Sequence, residues 1–231
     1  MALEPKLVDV QVPADPEGVV LVLHGGAARG REAVAVSPTQ LSVLRMVPIA
    51  RDIARAGRGR LAVFRLLNAQ RGWDEGGDHT PVRDAAWALD EIAARFDGRR
   101  LPTVLVGHSL GGRAALLSVG ARGVRGVCAL APWVYPTDVA PGLDGQEVLF
   151  VHGTDDRIAD PRKSAELARA MSARTHVGYV SVRGGKHAML GRRRQFDGLA
   201  AAFAAATLLG EAPPARSALA RVAAGEAQVA V

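Results

Sequence analysis

The chain has 231 residues, of which 48% are hydrophobic, and this length and composition are typical of one sizeable globular domain. Its formal net charge is +6, but the arginines are scattered and form no long basic cluster with interleaved aromatic residues, so nucleic-acid binding is not predicted. No apolar run reaches the roughly 18 residues of a membrane span, and no secretory signal is predicted from the first ten residues. The single cysteine, Cys128, excludes an internal disulfide.

Apolar runs of strand length alternate along the chain with helical patterns. Strands are predicted over residues 7–12, 19–23, 60–66, 102–106, 124–130, 147–151 and 176–182. Helices are predicted over residues 41–55, 81–96, 110–119, 161–171 and 193–209, with Thr80 and Asp160 as N-caps of the second and the fourth. This alternation predicts an α/β fold, a mostly parallel, twisted central sheet of about seven to eight strands flanked by helices on both faces.

The domain organisation follows from a change in composition near residue 210. Residues 1–210 are predicted to form a single α/β domain. Residues 211–231 have a proline break and low complexity, so they are predicted to be a loose C-terminal tail or a short helix.

A serine surrounded by glycines interrupts two apolar runs in GHSLGG, residues 107–112. Because a predicted strand precedes this segment and a predicted helix follows it, Gly107-x-Ser109-x-Gly111 fits a sharp strand-to-helix turn. Such a turn would raise the Ser109 hydroxyl above the carboxyl edge of the sheet, at a helix N-terminus that favours developing negative charge. The pattern predicts that Ser109 is a nucleophile and that the backbone N–H of Leu110 faces an oxyanion.

Three other strand exits carry groups that could assist this serine. Residues 24–26, HGG, follow an early strand and can offer backbone N–H groups to the oxyanion. Residues 152–158, HGTDDRI, contain two acids, and either Asp155 or Asp156 could orient and polarise an imidazole. His187 follows the last predicted strand within GGKHAM, residues 184–189. Serine, acid and histidine therefore occur in an order that known catalytic triads use.

On these four segments the sequence resembles the α/β-hydrolase fold family, over residues 7–209. The resemblance implies that Ser109 is the nucleophile and His187 the general base. It implies that Asp156 is the acid, because the family's acid usually stands three positions after the glycine of an HG-x-x-D segment. Some members take the acid from the neighbouring side of the sheet, and there Asp138 is the alternative.

The same resemblance implies an oxyanion hole formed by the backbone of Leu110 together with Gly26 or Ala27. Many family members insert a helical lid after the strand that here ends near residue 130. Only residues 131–145, which are rich in proline, are available for one, so the sequence is similar to the small, lidless esterases of the family. No cluster of metal ligands and no dinucleotide-binding glycine loop is present, so no metal and no cofactor is predicted.

Three aromatic residues are candidates to line an acyl pocket near the serine. Trp73, Trp133 and Tyr135 lie in loops that are expected at the same edge of the sheet. Ordinary packing is the alternative interpretation of all three.

The predicted function is a serine hydrolase that cleaves carboxylic esters of small to medium acyl groups through an acyl-enzyme intermediate. An acyl-thioesterase or amidase with the same triad is the alternative, and a non-hydrolytic ligand-binding module is a third hypothesis. The expected partner is a small-molecule ester or thioester, with no nucleic acid and no membrane, and the oligomeric state is left open. The expected location is the cytoplasm.

Overall fold

The computed structural model describes residues 3–26, 34–73 and 79–231. Within them, the strands are β1 (Lys6–Gln11), β2 (Gly18–Leu23), β3 (Leu61–Leu67), β4 (Thr103–His108), β5 (Val124–Leu130), β6 (Glu147–Gly153), β7 (His176–Val182) and β8 (Gln228–Ala230). The helices are α1 (Leu41–Leu44), α2 (Met46–Ala56), α3 (Thr80–Arg95), α4 (Leu110–Leu117), α5 (Pro161–Ser172), α6 (Arg193–Leu209) and α7 (Ala218–Ala223).

The strands form one sheet in the order β1-β3-β2-β4-β5-β6-β7-β8. All neighbouring pairs are parallel except β1 and β3, which pair antiparallel at one edge. Alternate strand side chains point to opposite faces, where α3, α4 and α5 cover one core and α2, α6 and α7 cover the other. The predicted mostly parallel sheet with helices on both faces is therefore confirmed.

This topology determines where polar side chains meet. Parallel strands end at the same edge of a sheet, so the segments after β2, β4, β6 and β7 converge there. Those segments are the four that carry the sequence motifs, beginning at His24, Ser109, Thr154 and Arg183.

The predicted single helix over residues 41–55 is wrong in one respect. The structure interrupts it at Arg45, between α1 and α2. Pro48 explains the break, because proline has no N–H for the carbonyl of Leu44 and its ring would collide with that carbonyl. Pro48 is tolerated in the first turn of α2, where the N–H groups have no partner within the helix.

The N-cap predictions had different outcomes. Asp160 caps α5 as predicted, with its side chain accepting a hydrogen bond from the backbone N–H of Arg162. The prediction that Thr80 is the N-cap of α3 was wrong, because α3 already includes Thr80 and His79 occupies the cap position. The Thr80 hydroxyl accepts a hydrogen bond from Gln70 Nε2 at 2.9 Å instead, a partner that is ten residues away.

The C-terminal segment is more ordered than the predicted loose tail. Residues 211–231 contain the short helix α7, one of the two forms predicted, and also β8, which the sequence analysis did not predict. β8 pairs parallel with β7 at the sheet edge, and Val229 is fully buried. The prediction that one domain spans residues 1–210 and is separate from residues 211–231 stays a prediction.

The connection between β5 and β6 has no helical lid. Residues 131–146 are all described and contain turns and bends but no helix. The edge of the sheet above Ser109 is therefore not covered by an inserted helical layer from this connection.

Among the described residues, none of the helices has the length and apolar character needed to cross a bilayer.

Candidate active site

Ser109 occupies a strained turn between β4 and α4. Its backbone has φ +55° and ψ −118°, a conformation that costs a residue with a side chain about 1–3 kcal/mol. A Cβ atom on Gly107 would lie 2.2 Å from the carbonyl oxygen of Gly111, and one on Gly111 would lie 2.5 Å from that of His24. Only glycine fits at these two positions, so the predicted reason for the glycine spacing agrees with the geometry.

His187 connects Ser109 to Asp156 through two hydrogen bonds. Its Nε2 lies 3.0 Å from the Ser109 hydroxyl oxygen, and its Nδ1 lies 2.8 Å from Asp156 Oδ2. The Asp156 side chain is fully buried, while that of His187 is 18% exposed. The structure thus brings together the serine, histidine and acid predicted from the sequence.

The environment of Asp156 favours its ionised form. Burial by itself raises the pKa of this carboxyl, but hydrogen bonds from His152, His187 and two backbone N–H groups outweigh that effect and lower the pKa below its ordinary value. The backbone donors are Ile158 and Ala159, which lie 2.8 and 3.0 Å from Oδ1. An ionised Asp156 can only accept from His187 Nδ1, so the Nε2 lone pair of His187 faces the Ser109 hydroxyl.

The two alternative acids make other contacts. Asp155 is exposed, and its Oδ1 accepts a hydrogen bond from the Thr154 hydroxyl at 2.9 Å. Asp138 is buried, and its carboxylate accepts hydrogen bonds from Arg113 Nη2 and from the backbone N–H of Tyr135, each at 2.8 Å. It is Asp156 that the structure places against His187.

Two residues that the sequence analysis did not select hold the loop of His187. The buried ring of His108 donates from Nε2 to the carbonyl oxygen of His187 at 2.9 Å. Burial, together with the nearby His187, lowers the pKa of His108 to about 3, so this ring is neutral at physiological pH. Arg45 donates from Nε to the carbonyl of Ala188 at 3.1 Å and from Nη2 to the buried Asp197 at 2.7 Å.

The loop after β2 lies directly against the serine. A Cβ atom on Gly25 would be 3.0 Å from Ser109 Cβ, so the backbone of this loop passes next to Ser109. His24 fixes the loop, because Nδ1 donates to the carbonyl of Gly25 at 2.6 Å and Nε2 accepts from the N–H of Asn68 at 3.1 Å. Gly26 follows with φ +147°, a conformation that favours glycine.

Of the two other predicted oxyanion donors, Leu110 and Ala27, the structure describes Leu110. Leu110 is the first residue of α4, so its backbone N–H belongs to the helix N-terminus and has no partner within the helix. Ala27 lies outside the described residues.

The predicted pocket residues are brought together around Arg113. The guanidinium carbon of Arg113 lies 4.2 Å from the ring centroid of Trp73, 5.2 Å from that of Trp133 and 5.0 Å from that of Tyr135. The backbone N–H groups of Arg113 and Trp133 both donate to the carbonyl oxygen of Ser109 at 3.1 Å. The aromatic residues therefore form a cluster beside the serine, with a cation that the sequence analysis did not single out.

Comparison with known proteins identifies similar sequences and structures. The model of a family described as the alpha/beta hydrolase family matches residues 80–207, which include Ser109, Asp156 and His187. A serine hydrolase from Xanthomonas campestris, described as without lid, is similar over 92% of this chain and 99% of its own, with 18% identity and a TM-score of 0.60. Among curated proteins, no match is found.

Two further solved structures have folds similar to the fold of this chain. An esterase from Pyrobaculum calidifontis is similar over 88% of this chain and 86% of its own, with 15% identity and a TM-score of 0.61. An alpha-beta serine hydrolase homologue from Coxiella burnetii is similar over 85% of this chain and 90% of its own, with 16% identity and a TM-score of 0.61. These comparisons confirm the predicted fold class, including its lidless form.

Proposed function

Because the chain belongs to the alpha/beta hydrolase family, we propose that it is a serine hydrolase that cleaves carboxylic esters through an acyl-enzyme. In this proposal Ser109 is the nucleophile, His187 the general base and Asp156 the acid. One observation carries the proposal, namely the continuous hydrogen-bonded path from the strained Ser109 through His187 to the ionised Asp156. Nucleophilic catalysis requires such a path, because a serine hydroxyl is a weak nucleophile until a base removes its proton.

The first half of the reaction forms a bond between Ser109 and the acyl carbon. As Ser109 Oγ attacks, its proton passes to His187 Nε2, and Asp156 stabilises the resulting imidazolium. The carbonyl oxygen becomes an oxyanion, which we assign to the backbone N–H groups of Leu110 and the Gly26 loop. Each such donor contributes about 3 kcal/mol to stabilising the transition state. His187 then donates its proton to the alkoxide, and the alcohol leaves.

The second half reverses these roles with water. His187 removes a proton from the water as it attacks the acyl carbon, and the oxyanion forms again in the same place. His187 returns the proton to Ser109 Oγ, which releases the carboxylic acid and restores the free enzyme. Every proton in both halves passes through the single ring of His187, so the reaction as proposed draws on no other group for proton transfer.

The preference for small to medium esters is supported by the open edge of the sheet. The connection over residues 131–146 supplies no helical lid, and similar structures include proteins described as esterases. We assign the acyl side of the site to the cluster of Trp73, Trp133 and Tyr135 around Arg113.

The single cysteine, Cys128, is fully buried, and burial raises the pKa of its thiol. A reduced, inert thiol is consistent with the proposed cytoplasmic location.

Turnover of a substrate panel tests the proposal. Aryl acetate, butyrate and octanoate should be hydrolysed with an initial burst of one alcohol per enzyme, with the shorter esters favoured, whereas the Ser109→Ala variant should be inactive. Ser172→Ala is the matched control, because Ser172 is exposed and its hydroxyl donates to the carbonyl oxygen of Arg169 within α5. Faster turnover of acyl-thioesters than of the matched esters would assign the site to thioesters. Equal turnover by wild type and Ser109→Ala would refute the proposal.

A further inference from the structure

The proposed catalytic acid has a second histidine partner. His152, near the C-terminal end of β6, has a fully buried side chain, and its Nε2 lies 3.1 Å from Asp156 Oδ2. This is the same oxygen that contacts His187 Nδ1 at 2.8 Å. His152 Nε2 also lies 3.2 Å from the carbonyl oxygen of Ala159. Because an ionised carboxylate and a carbonyl both lack a proton, His152 Nε2 must carry the hydrogen and donate it.

The other nitrogen of His152 is also fixed. Its Nδ1 lies 2.7 Å from the hydroxyl oxygen of Ser164, which lies 3.0 Å from the hydroxyl of the buried Tyr179. Ser164 has one hydroxyl hydrogen, which it donates either to His152 Nδ1 or to the carbonyl oxygen of Pro161 at 2.9 Å, and Tyr179 donates to Ser164 or to the same carbonyl. A ring that is bonded at both nitrogens has one orientation. His152 therefore presents its Nε2–H to Asp156 in this structure.

Other titratable and charged groups approach His187 from different directions. The ring of His108 lies beside that of His187, with centroids 4.9 Å apart and planes tilted by 43°, and Arg45 bonds the neighbouring carbonyl of Ala188. Lys186 is its exposed neighbour in the same loop. Of the described side chains that contact Asp156, the donors to Oδ2 are His187 and His152. The two imidazoles compete for the negative charge of one oxygen.

We propose that His152 is a positioning residue, which holds Asp156 toward His187 and limits how strongly that carboxylate attracts the His187 ring. Its effect on rate rests on the proposed function, whereas its effect on the hydrogen bond between His187 and Asp156 does not. Without the His152 donor, the charge of Oδ2 is concentrated on His187 and the carboxylate has one restraint fewer. The imidazolium form of His187 is then stabilised more strongly, so a higher pH is required to return it to the base form.

The variants His152→Leu and His152→Gln separate this role from packing. Leucine removes the donor, whereas glutamine can place its amide N–H where Nε2 stands. In His152→Leu we expect the acid limb of the kcat/KM profile to move upward by at least about half a pH unit. We expect kcat to fall about tenfold, because the acid is less well oriented. In His152→Gln both quantities should return most of the way to wild type.

A second readout does not depend on activity. The His187 Nδ1–H proton, observed at low field by proton NMR, should move further downfield in His152→Leu and not in His152→Gln, also when Ser109 is replaced by alanine. If His152→Leu does not fold, Ser164→Ala perturbs the same ring from its other nitrogen and should move the resonance in the same direction by less. An unchanged resonance and an unchanged acid limb would overturn the inference. A shifted resonance in a protein that hydrolyses no ester would instead overturn the proposed function alone.

Discussion

Replacing Asp156 with asparagine tests the proposed acid with almost no change in shape. Asp156 Oδ1 accepts hydrogen bonds from the backbone N–H groups of Ile158 and Ala159. In Asp156→Asn the amide oxygen must therefore take that place, and the amide NH2 group must take the place of Oδ2. That NH2 group faces His187 Nδ1 and His152 Nε2, both of which are donors in the wild type. The substitution thus puts a donor where the structure requires an acceptor.

The consequence for catalysis follows from the tautomer of His187. Its Nδ1 must become the acceptor, so the hydrogen moves to Nε2, the atom 3.0 Å from Ser109 Oγ. A protonated Nε2 cannot remove the serine proton. We expect kcat to fall by about 10⁴-fold, which corresponds to about 5.5 kcal/mol of barrier. Initial rates with a short aryl ester, measured at saturating substrate across pH 6–9, give this value directly.

Asp155→Asn is the matched control, because this neighbouring carboxylate is exposed and bonds to Thr154. Its kcat should stay within about twofold of wild type, since changes at exposed positions have small effects. Thermal unfolding of both variants should show that each is folded. If Asp156→Asn keeps more than a tenth of the wild-type kcat, the assignment of the acid and the tautomer argument are both wrong.

Two further predictions concern stability. His108 has a folded pKa of about 3, so between the unfolded value near 6.5 and pH 3 only the unfolded state gains its proton, and stability falls as pH falls. The unfolding free energy of the wild type should therefore fall between pH 7 and pH 4.5, and in His108→Gln, which keeps a donor for His187, this fall should be smaller by about 2–3 kcal/mol. Urea titrations at the two pH values measure it, and an equal fall in wild type and variant would contradict the burial argument. Gly111→Ala should destabilise by at least about 2 kcal/mol because its Cβ would lie 2.5 Å from a carbonyl oxygen, whereas Gly198→Ala in α6 has open space and should be stabilising by about 0.5–1 kcal/mol. Calorimetry that ranks the two glycine variants in the opposite order would refute the steric account.

The parts of the site that the sequence predicted depend on local patterns. The turn at Ser109 is encoded by glycines two residues away on each side, and a side chain at the first of them, Gly107, would collide with the second, Gly111. The strand exits followed from apolar runs, and their convergence followed from the parallel sheet. Residues alone left Asp155 and Asp156 as equal alternatives, and only the resemblance to a family favoured Asp156.

The supporting residues could not be predicted because their partners are distant in the chain. His108 bonds a carbonyl 79 residues away, and Arg45 bonds one 143 residues away. Neither contact leaves a periodic or compositional signal, and His108 stands at a variable position of the serine motif. His152 resembled the last residue of an ordinary strand. The one available signal was its place in the HG-x-x-D segment, four residues before the acid that it contacts.

The same limit applies to secondary structure at two places. Pro48 was a visible reason to interrupt the predicted helix over residues 41–55, and its N–H and ring effects would have placed the break correctly. β8 has only three residues, too few for an alternating pattern, and it is stabilised by pairing with β7 rather than by its own sequence. Short edge strands of this kind depend on the rest of the sheet.

Labelling with a fluorophosphonate probe tests the central claim most directly, because this reagent reacts with a serine only when a base activates it. After incubation at pH 7.5, the account predicts one adduct per chain by intact mass spectrometry, located on Ser109 in the peptide that contains residues 107–112. Labelling should be lost in Ser109→Ala, be slowed strongly in Asp156→Asn, and be unaffected in Ser172→Ala. A folded wild-type protein that takes no label, or that is labelled at another serine, would contradict the account.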